Sequence, residues 1–324
     1  MSLNFGRRVR PGSWLAWLVA LGLGLRVYHD LSNPPVWHDE AALLVNVIGK
    51  SFTDLLGPLF YSEAGPPLFL WLERGVALTV GDGIFALRLL SLLASCAAFV
   101  GVIAIARRSL PPTAVLWLAM LFGCSDRLLW HCCEAKPYAV DVLVAVGLLA
   151  SFVSSKREEA IPASLCRRLL LYAALSPFLL FLSFPSCFLL GGAALALLPA
   201  VWRSRRGHIW AAYLLFGVVM CGSFLLLVVG PVRAQKNDLL LSCWLYNFPT
   251  WEQPWLVPFE GVVHLTEVFR YASEPIGNVL FGFAVIGAVK LWRDGHRRLL
   301  GFLLAPIGLA ALAWLAGQYP FGPA

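Results

Sequence analysis

Long runs of apolar residues with very few charged side chains constrain the fold of this chain most. Residues 84–106 and 209–229 are two such runs, and each is long enough to cross a bilayer as a helix, which takes roughly 20 residues. Only 13% of the 324 residues are charged, whereas soluble domains have about 25%. The sequence therefore predicts an all-α polytopic membrane protein.

Basic residues alternate with the apolar runs and indicate an orientation. Of the 25 Lys and Arg residues, 16 fall in five short segments, at 7–10, 107–108, 156–168, 203–206 and 290–298. Because cytoplasmic loops are enriched in Lys and Arg, we expect a cytoplasmic N-terminus. The first apolar run, at residues 13–28, reads as an uncleaved anchor because no small-residue cleavage site follows it.

The same arrangement predicts about nine transmembrane helices. Residues 67–80 are not counted among them, because this stretch of 14 residues carries Glu73 and Arg74 and fits an interfacial or re-entrant helix better. We expect one integral-membrane domain over residues 1–324. It has a first extracytoplasmic loop with interfacial helices at 29–83 and a second large loop at 230–275.

The sequence constrains the partners and cofactors of the protein less than it constrains the fold. The net charge of +7 is spread over separate loops, which indicates a lipid bilayer and no nucleic acid as a partner. The eight cysteines show no metal-finger spacing, although Cys132, Cys133 and Cys243 fall in outer segments where a disulfide remains open. His38 and His131 could bind a metal, but lone loop histidines more often do not.

Asp39 and Glu40 form an acidic pair just beyond the first apolar run. Adjacent carboxylates on the outer face are candidates for a general base and a supporting acid or metal ligand. The alternative is an ordinary helix start, where Asp caps the first turn or interacts with the helix dipole. The same residues can serve both purposes.

A second polar group follows the third apolar run and contains Glu134, Lys136, Tyr138 and Asp141. A helix that began near Glu134 would place Tyr138 and Asp141 on one face with it. Charged groups at membrane depth are costly unless they are paired or functional, so we predict that this group binds substrate. The alternative is a surface ion pair between Glu134 and Lys136.

Two further charged residues are candidates for substrate binding. Glu63 stands before Pro66 and Pro67, where it faces a substrate or caps the helix that the prolines begin. Arg88 lies near the outer end of an apolar run and needs an anionic partner. That partner is either an acidic residue of the first loop or a lipid phosphate.

Taken in order, these motifs resemble the GT-C-type glycosyltransferases. Within that class they are most similar to the protein mannosyltransferase and aminoarabinose transferase superfamily of polyprenyl-phosphate-sugar enzymes. The segments that carry the resemblance are WHDE at 37–40, AGPPL at 64–68, ALRL at 86–89 and EAKPY at 134–138, with SFP at 183–185 and YPFG at 319–322.

The resemblance implies a GT-C-like helical bundle in a bacterial plasma (inner) membrane, with an extracytoplasmic active site. The donor would be a sugar on a polyprenyl phosphate, and the acceptor a protein, lipid or glycan. Asp39 would be the catalytic base, and Glu134 would bind acceptor, donor phosphate or, together with Asp39, a divalent metal in metal-dependent members. Lys136 stands where Arg is frequent, which weakens bidentate phosphate binding. Relatives continue with further spans, so we expect the C-terminal spans of the family to be missing.

A transporter or lipid flippase is the alternative class. Polar residues inside the spans would then mark a path near the midplane of the bilayer. In this chain, the ionisable residues gather at the outer ends of the apolar runs. The sequence therefore favours the transferase class, for which the resemblance implies transfer of a sugar to an acceptor hydroxyl with inversion at the anomeric carbon.

Overall fold

The computed structural model describes residues 11–153 and 162–321, and within these ranges it is helical without β-strands. The predicted all-α class is confirmed. The helices in chain order are α1 (Pro11–Leu31), α2 (His38–Gly49), α3 (Pro67–Thr79), α4 (Ile84–Ser109), α5 (Pro112–Gly123), α6 (Asp126–Trp130), α7 (Tyr138–Val153), α8 (Pro162–Leu182), α9 (Ser186–Ser204), α10 (Gly207–Leu227), α11 (Arg233–Gln235), α12 (Asp238–Cys243), α13 (Val257–Ala272), α14 (Gly277–Arg293) and α15 (Arg297–Leu315).

Five helical stretches in the described part of the chain are long and apolar enough to cross a membrane: α4, α8, α9, α10 continued through α11, and α15. Two bent pairs, α5 with α6 and α13 with α14, raise the number to seven if each pair is one span. By length and composition the chain is an integral membrane protein. The predicted nine spans also include α1 and the 16-residue α7, and that number stays a prediction.

The apolar run at residues 113–130, one of the nine predicted spans, does not form one straight helix. The chain bends by 54° between α5 and α6, and Ser125 caps the start of α6 by accepting a hydrogen bond from the Leu128 N–H at 3.4 Å. The backbone carbonyls at the end of α5 lose their helical partners at this bend. The two helices together are long and apolar enough for one span, so a crossing in this region stays a prediction.

Arg26 of α1 fills the bend. Its fully buried guanidinium donates to the carbonyl oxygens of Phe122 at 3.1 Å and Gly123 at 3.3 Å. It also donates to Ser95 Oγ at 2.9 Å and lies 4.7 Å from the ring centroid of Phe99. A buried arginine thus satisfies carbonyls that would otherwise lie unpaired in an apolar interior.

The core joins the long helices to the first loop. Helix α4 packs on α7, α8 on α10, and α9 on α15. The same core includes Leu43 and Val47 of α2 and Phe69 and Leu70 of α3, all fully buried. Removing such a side chain from water contributes about 1.5–3 kcal/mol. Helices α2 and α3 therefore lie against the bundle and hold their polar residues in fixed positions.

Gln235 at the end of α11 also holds the first loop in place, through two hydrogen bonds. This residue is almost fully buried, its Oε1 accepts a hydrogen bond from the Gly65 N–H at 3.0 Å, and its Nε2 donates to the Leu55 carbonyl at 3.4 Å. The loop segment that carries Glu63 is thereby tied to the end of a long helix.

Candidate functional site

Helix α2 separates the two carboxylates of the acidic pair. Glu40 is on the face that buries Leu43, Leu44 and Val47, which follow it at three, four and seven positions. Asp39 points about 100° away, as neighbouring residues on an α-helix do. Its side chain is 49% exposed, against 1% for Glu40. Asp39 is therefore the carboxylate of this pair that a substrate can reach.

Glu40 is bound on both oxygens by Arg88. The Arg88 Nε donates to Glu40 Oε1 at 2.8 Å and Nη2 donates to Oε2 at 2.6 Å. The Ala135 N–H also donates to Glu40 Oε1, at 2.9 Å. The prediction that Arg88 needs an anionic partner is confirmed, and that partner is a first-loop acid. The pair connects α2, α4 and the 131–137 turn behind Asp39.

A second buried ion pair lies beside Asp39. Lys136 Nζ donates to Glu63 Oε2 at 2.9 Å, and both side chains are about nine-tenths buried. Burial raises the pKa of Glu63, the Lys136 ammonium counteracts that shift, and the charge of Asp39 adds to it. Capping of α3 by Glu63 is not observed, because Pro66 occupies the N-cap position without a side-chain bond.

Three side chains form a hydrogen-bonded chain next to these pairs. His131 Nδ1 lies 2.9 Å from Glu134 Oε2, and His131 Nε2 lies 3.0 Å from the Tyr271 hydroxyl. A carboxylate on Nδ1 favours the tautomer with the proton there, which leaves Nε2 to accept from Tyr271. Glu134 thus pairs with His131 and not with Lys136, so the surface ion pair considered from the sequence is absent.

Helix α7 begins after Glu134 and Lys136. It starts at Tyr138, so the shared helical face that a start near Glu134 would give to Glu134, Tyr138 and Asp141 is not formed. Pro137 disfavours helical geometry at the preceding residue, and the chain through Glu134 and Lys136 is a turn instead. Asp141 lies one turn along α7, where the Ser183 hydroxyl is its polar neighbour.

The cluster converges on Tyr138. The electrostatic neighbours of its hydroxyl are Glu134, Asp39, Tyr271 and Glu63, and its ring centroid lies 4.6 Å from that of His131. Residues that are far apart in sequence therefore meet at one end of the bundle. The predicted set comes together there, with Glu40 and Arg88 behind it and Asp141 one turn along α7.

The two carboxylates predicted for a divalent metal each contact a histidine. Asp39 Oδ1 lies 2.8 Å from His38 Nε2, and Glu134 contacts His131. Among the described residues, no group of three or more His, Cys, Asp or Glu side chains is placed to hold a metal ion. All eight cysteines are free thiols, so the disulfide considered from the sequence is not formed.

Sequence reasoning missed some residues of this site. Tyr271 is 140 positions from His131, and no local pattern connects the two. Gln235 likewise lies in a segment that carried no polar motif. The burial of Glu40, in contrast, was detectable, because the apolar residues three, four and seven positions later define the inner face of α2.

Comparison with known proteins gives no assignment, since no protein-family model, curated protein or solved structure matches the chain.

Proposed function

We propose that the chain is a membrane glycosyltransferase of the GT-C type. It moves a sugar from a polyprenyl-phosphate carrier to an acceptor hydroxyl on the extracytoplasmic face, with inversion. The observation that carries this proposal is the placement of Asp39, an exposed carboxylate within the electrostatic range of the buried Glu63–Lys136 pair. The resemblance of the ordered motifs to that class supports it.

In this mechanism, Asp39 takes the proton of the acceptor hydroxyl while that oxygen attacks the anomeric carbon. The bond from the anomeric carbon to the phosphate oxygen breaks, and the polyprenyl phosphate leaves with the bonding electrons. Positioned base catalysis contributes about 10²–10⁴-fold. Lys136 provides the positive charge that stabilises the leaving phosphate, and Glu63 fixes the position of its ammonium group.

The other residues orient substrate or order the site. Glu40 and Arg88 are positioning residues, because each satisfies the charge of the other. Glu134, Tyr138 and Asp141 bind hydroxyl groups of the sugar or acceptor.

The test is transfer by the purified chain in nanodiscs, with a panel of polyprenyl-phosphate sugars and acceptors, and with added Mg²⁺ or Mn²⁺ or with EDTA. Release of polyprenyl phosphate is the readout. We expect the Asp39→Asn variant to lose at least about 100-fold in rate, the lower range for a positioned base.

The matched control is Asp238→Asn, which changes an exposed aspartate in the first turn of α12 and should keep wild-type activity. Full activity of Asp39→Asn would discard the mechanism. Movement of the lipid-linked sugar across proteoliposomes without any transfer would instead favour the transporter class.

A further inference from the structure

Helix α13 is amphipathic, but its polar side faces the protein. The Tyr271 hydroxyl bonds to His131, and the ring centroid of His264 lies 5.8 Å from that of Trp314 on α15. Only 13% of the His264 side chain is exposed. Gly261 shares this side, where an added Cβ atom would lie 3.4 Å from Trp314 Cζ3. Because positions 261, 264 and 271 recur at helical spacing, one side of α13 rests on α15 and on the candidate site.

The acidic residues of α13 also have partners within the protein. Glu260 Oε2 accepts a hydrogen bond from the Thr250 N–H at 3.1 Å, and Glu267 Oε2 lies 3.4 Å from His264 Nδ1. At about 100° per residue around an α-helix, both acids lie beside His264. The opposite side of the helix is therefore left to other residues.

The side of α13 that faces away from the protein is largely apolar. Phe259 is 68% exposed and Val262 is 57% exposed, and Trp255, just before the helix, is 72% exposed. Arg270, near the end of the helix, continues this side and is exposed, and a guanidinium can reach lipid headgroups along its apolar stem. A helix that faces water has its polar residues outside and its apolar residues inside. The reverse arrangement in α13 indicates that lipid covers its outer side.

The direction of α13 fits the surface of a bilayer better than its interior. The chain bends by 109° between α13 and α14. Helix α14 has an exposed apolar stripe of its own, formed by Val279, Phe283 and Ile286, which is the pattern of a helix that runs through lipid. With α14 across the bilayer, a helix at this angle lies along the interface. Tyr246 and Trp251, in the segment before α13, are also exposed, and such aromatic residues are enriched at that level.

We propose that α13 is an interfacial helix that binds the bilayer leaflet on the side of the candidate site. Phe259 and Val262 insert at the boundary between headgroups and acyl chains, roughly 5–10 Å deep. Tyr271 is on the opposite side of the same helix, so contact with lipid fixes the position of the residue that holds His131. This proposal does not depend on the proposed transfer reaction.

The experiment measures depth with a fluorophore on single cysteines of the full, otherwise cysteine-free chain in phosphatidylcholine nanodiscs. At Phe259→Cys and Val262→Cys, a lipid spin label near the headgroup should quench at least about twofold more than one near the acyl-chain end, because interfacial helices insert only shallowly. Val218→Cys, at an exposed position within α10, should show the opposite preference. Ser51→Cys, at an exposed loop position, should be quenched mainly by aqueous iodide.

Three results would overturn the proposal. The first is iodide quenching at Phe259→Cys and Val262→Cys as strong as at Ser51→Cys, which would show that the outer side of α13 faces water. The second is the preference of Val218→Cys, which would place α13 inside the bilayer as part of a broken span. The third is protection from both iodide and lipid, which would show that another protein covers this side. The two α13 positions are labelled separately, so that either one decides if the other variant does not fold.

Discussion

At the scale of single residues, burial decides what each carboxylate does. Glu40 is enclosed and held by two guanidinium hydrogen bonds, whereas Asp39 is half exposed on the next position of the same helix. Breaking a buried ion pair by removing one partner leaves an uncompensated charge and costs about 3–5 kcal/mol. Glu40 is therefore suited to fixing geometry, and Asp39 to exchanging a proton with a substrate.

The buried carboxyl group of Glu73 in α3 predicts how the stability of the protein depends on pH. Both its oxygens are buried without a hydrogen-bond partner. Burial, with a smaller contribution from the charge of Glu40, raises the pKa of Glu73 from its ordinary value of 4.5 to about 8. The folded chain then holds a proton that the unfolded chain releases above pH 4.5. Stability should fall as pH rises from about 4.5 to 8, by up to about 1.4 kcal/mol per pH unit.

Thermal unfolding in detergent between pH 5 and 9 measures this effect. The Glu73→Gln variant should lose most of the pH dependence and exceed the wild type in melting temperature near pH 8. Glu252→Gln, at an exposed loop position, should unfold with the wild-type pH dependence. If Glu73→Gln kept the wild-type slope, another group would carry the titration.

The residues that sequence reasoning identified and those that it missed differ in one physical respect. Asp39, Glu63 and Lys136 stand out because charged residues beside apolar runs are conspicuous. Their partners follow from contacts between distant segments: Lys136 binds Glu63 across 73 positions, and His131 binds Tyr271 across 140. A pattern within one segment does not contain that information.

At the scale of helices, α13 reaches the site through one hydrogen bond. The Tyr271 hydroxyl bonds to His131 Nε2, and the Arg127 guanidinium lies 4.5 Å from the Tyr271 ring centroid. Burial raises the pKa of Tyr271, partly offset by Arg127, so the phenol keeps its proton at neutral pH. Tyr271 thus holds His131, and His131 holds Glu134, in a fixed orientation.

The Tyr271→Phe variant removes only the hydroxyl group that bonds to His131. We expect transfer to slow by roughly tenfold, which corresponds to about 1.4 kcal/mol for one hydrogen bond, with little change in melting temperature. Tyr246→Phe, at an exposed position, is the control for loss of a phenol. The measurement compares the steady-state rates of both variants with that of the wild type. Equal rates for wild type and Tyr271→Phe would show that the hydrogen bonds linking Tyr271, His131 and Glu134 do not contribute to transfer.

Close contact between α1 and the α5–α6 bend gives a prediction on stability. A Cβ atom at Gly22 would lie 2.5 Å from Phe99 Cε1 and 3.1 Å from Gly123 Cα. Gly22→Ala should therefore displace the Phe99 ring or separate the helices, at a cost of about 1–3 kcal/mol. The bend itself escaped sequence analysis because its carbonyls are satisfied by Arg26, which lies almost 100 positions away.

Gly24→Ala is the matched control, since Gly24 is on the same helix and a Cβ there would meet no atom within 4 Å. Alanine favours a helix over glycine by up to about 1 kcal/mol, so this variant should be as stable as the wild type or slightly more stable. Denaturant or thermal unfolding in the same detergent distinguishes the two. A stable Gly22→Ala variant would show that Phe99 has room to move.

At the scale of the whole molecule, the two ends differ in charge. The site end carries the Asp39 cluster, and the other end carries arginines such as Arg203 and Arg297. The helical class followed directly from the lengths of the apolar runs. The number of spans did not, since α5 and α6 are bent and α7 is short. Apolar length alone does not determine where a helix breaks.

Orientation is tested by labelling single cysteines in a cysteine-free background. We expect an impermeant maleimide to reach Ser51→Cys and Ser242→Cys from outside the cell, and Ser109→Cys only after permeabilisation, because basic ends stay in the cytoplasm. All three positions fall outside the apolar interior of the helices. Labelling of Ser51→Cys and Ser109→Cys from the same side would contradict the proposed topology.

The helical stretch Gly207–Gln235 has a mechanical consequence. Its 29 residues make a rod of roughly 43 Å. The rod begins three positions after Ser204, and its far tip holds the Gly65 N–H through Gln235. A tilt of this helical stretch at its Gly207 end would therefore move the segment next to Glu63. A force applied in one leaflet would in this way displace residues in the other.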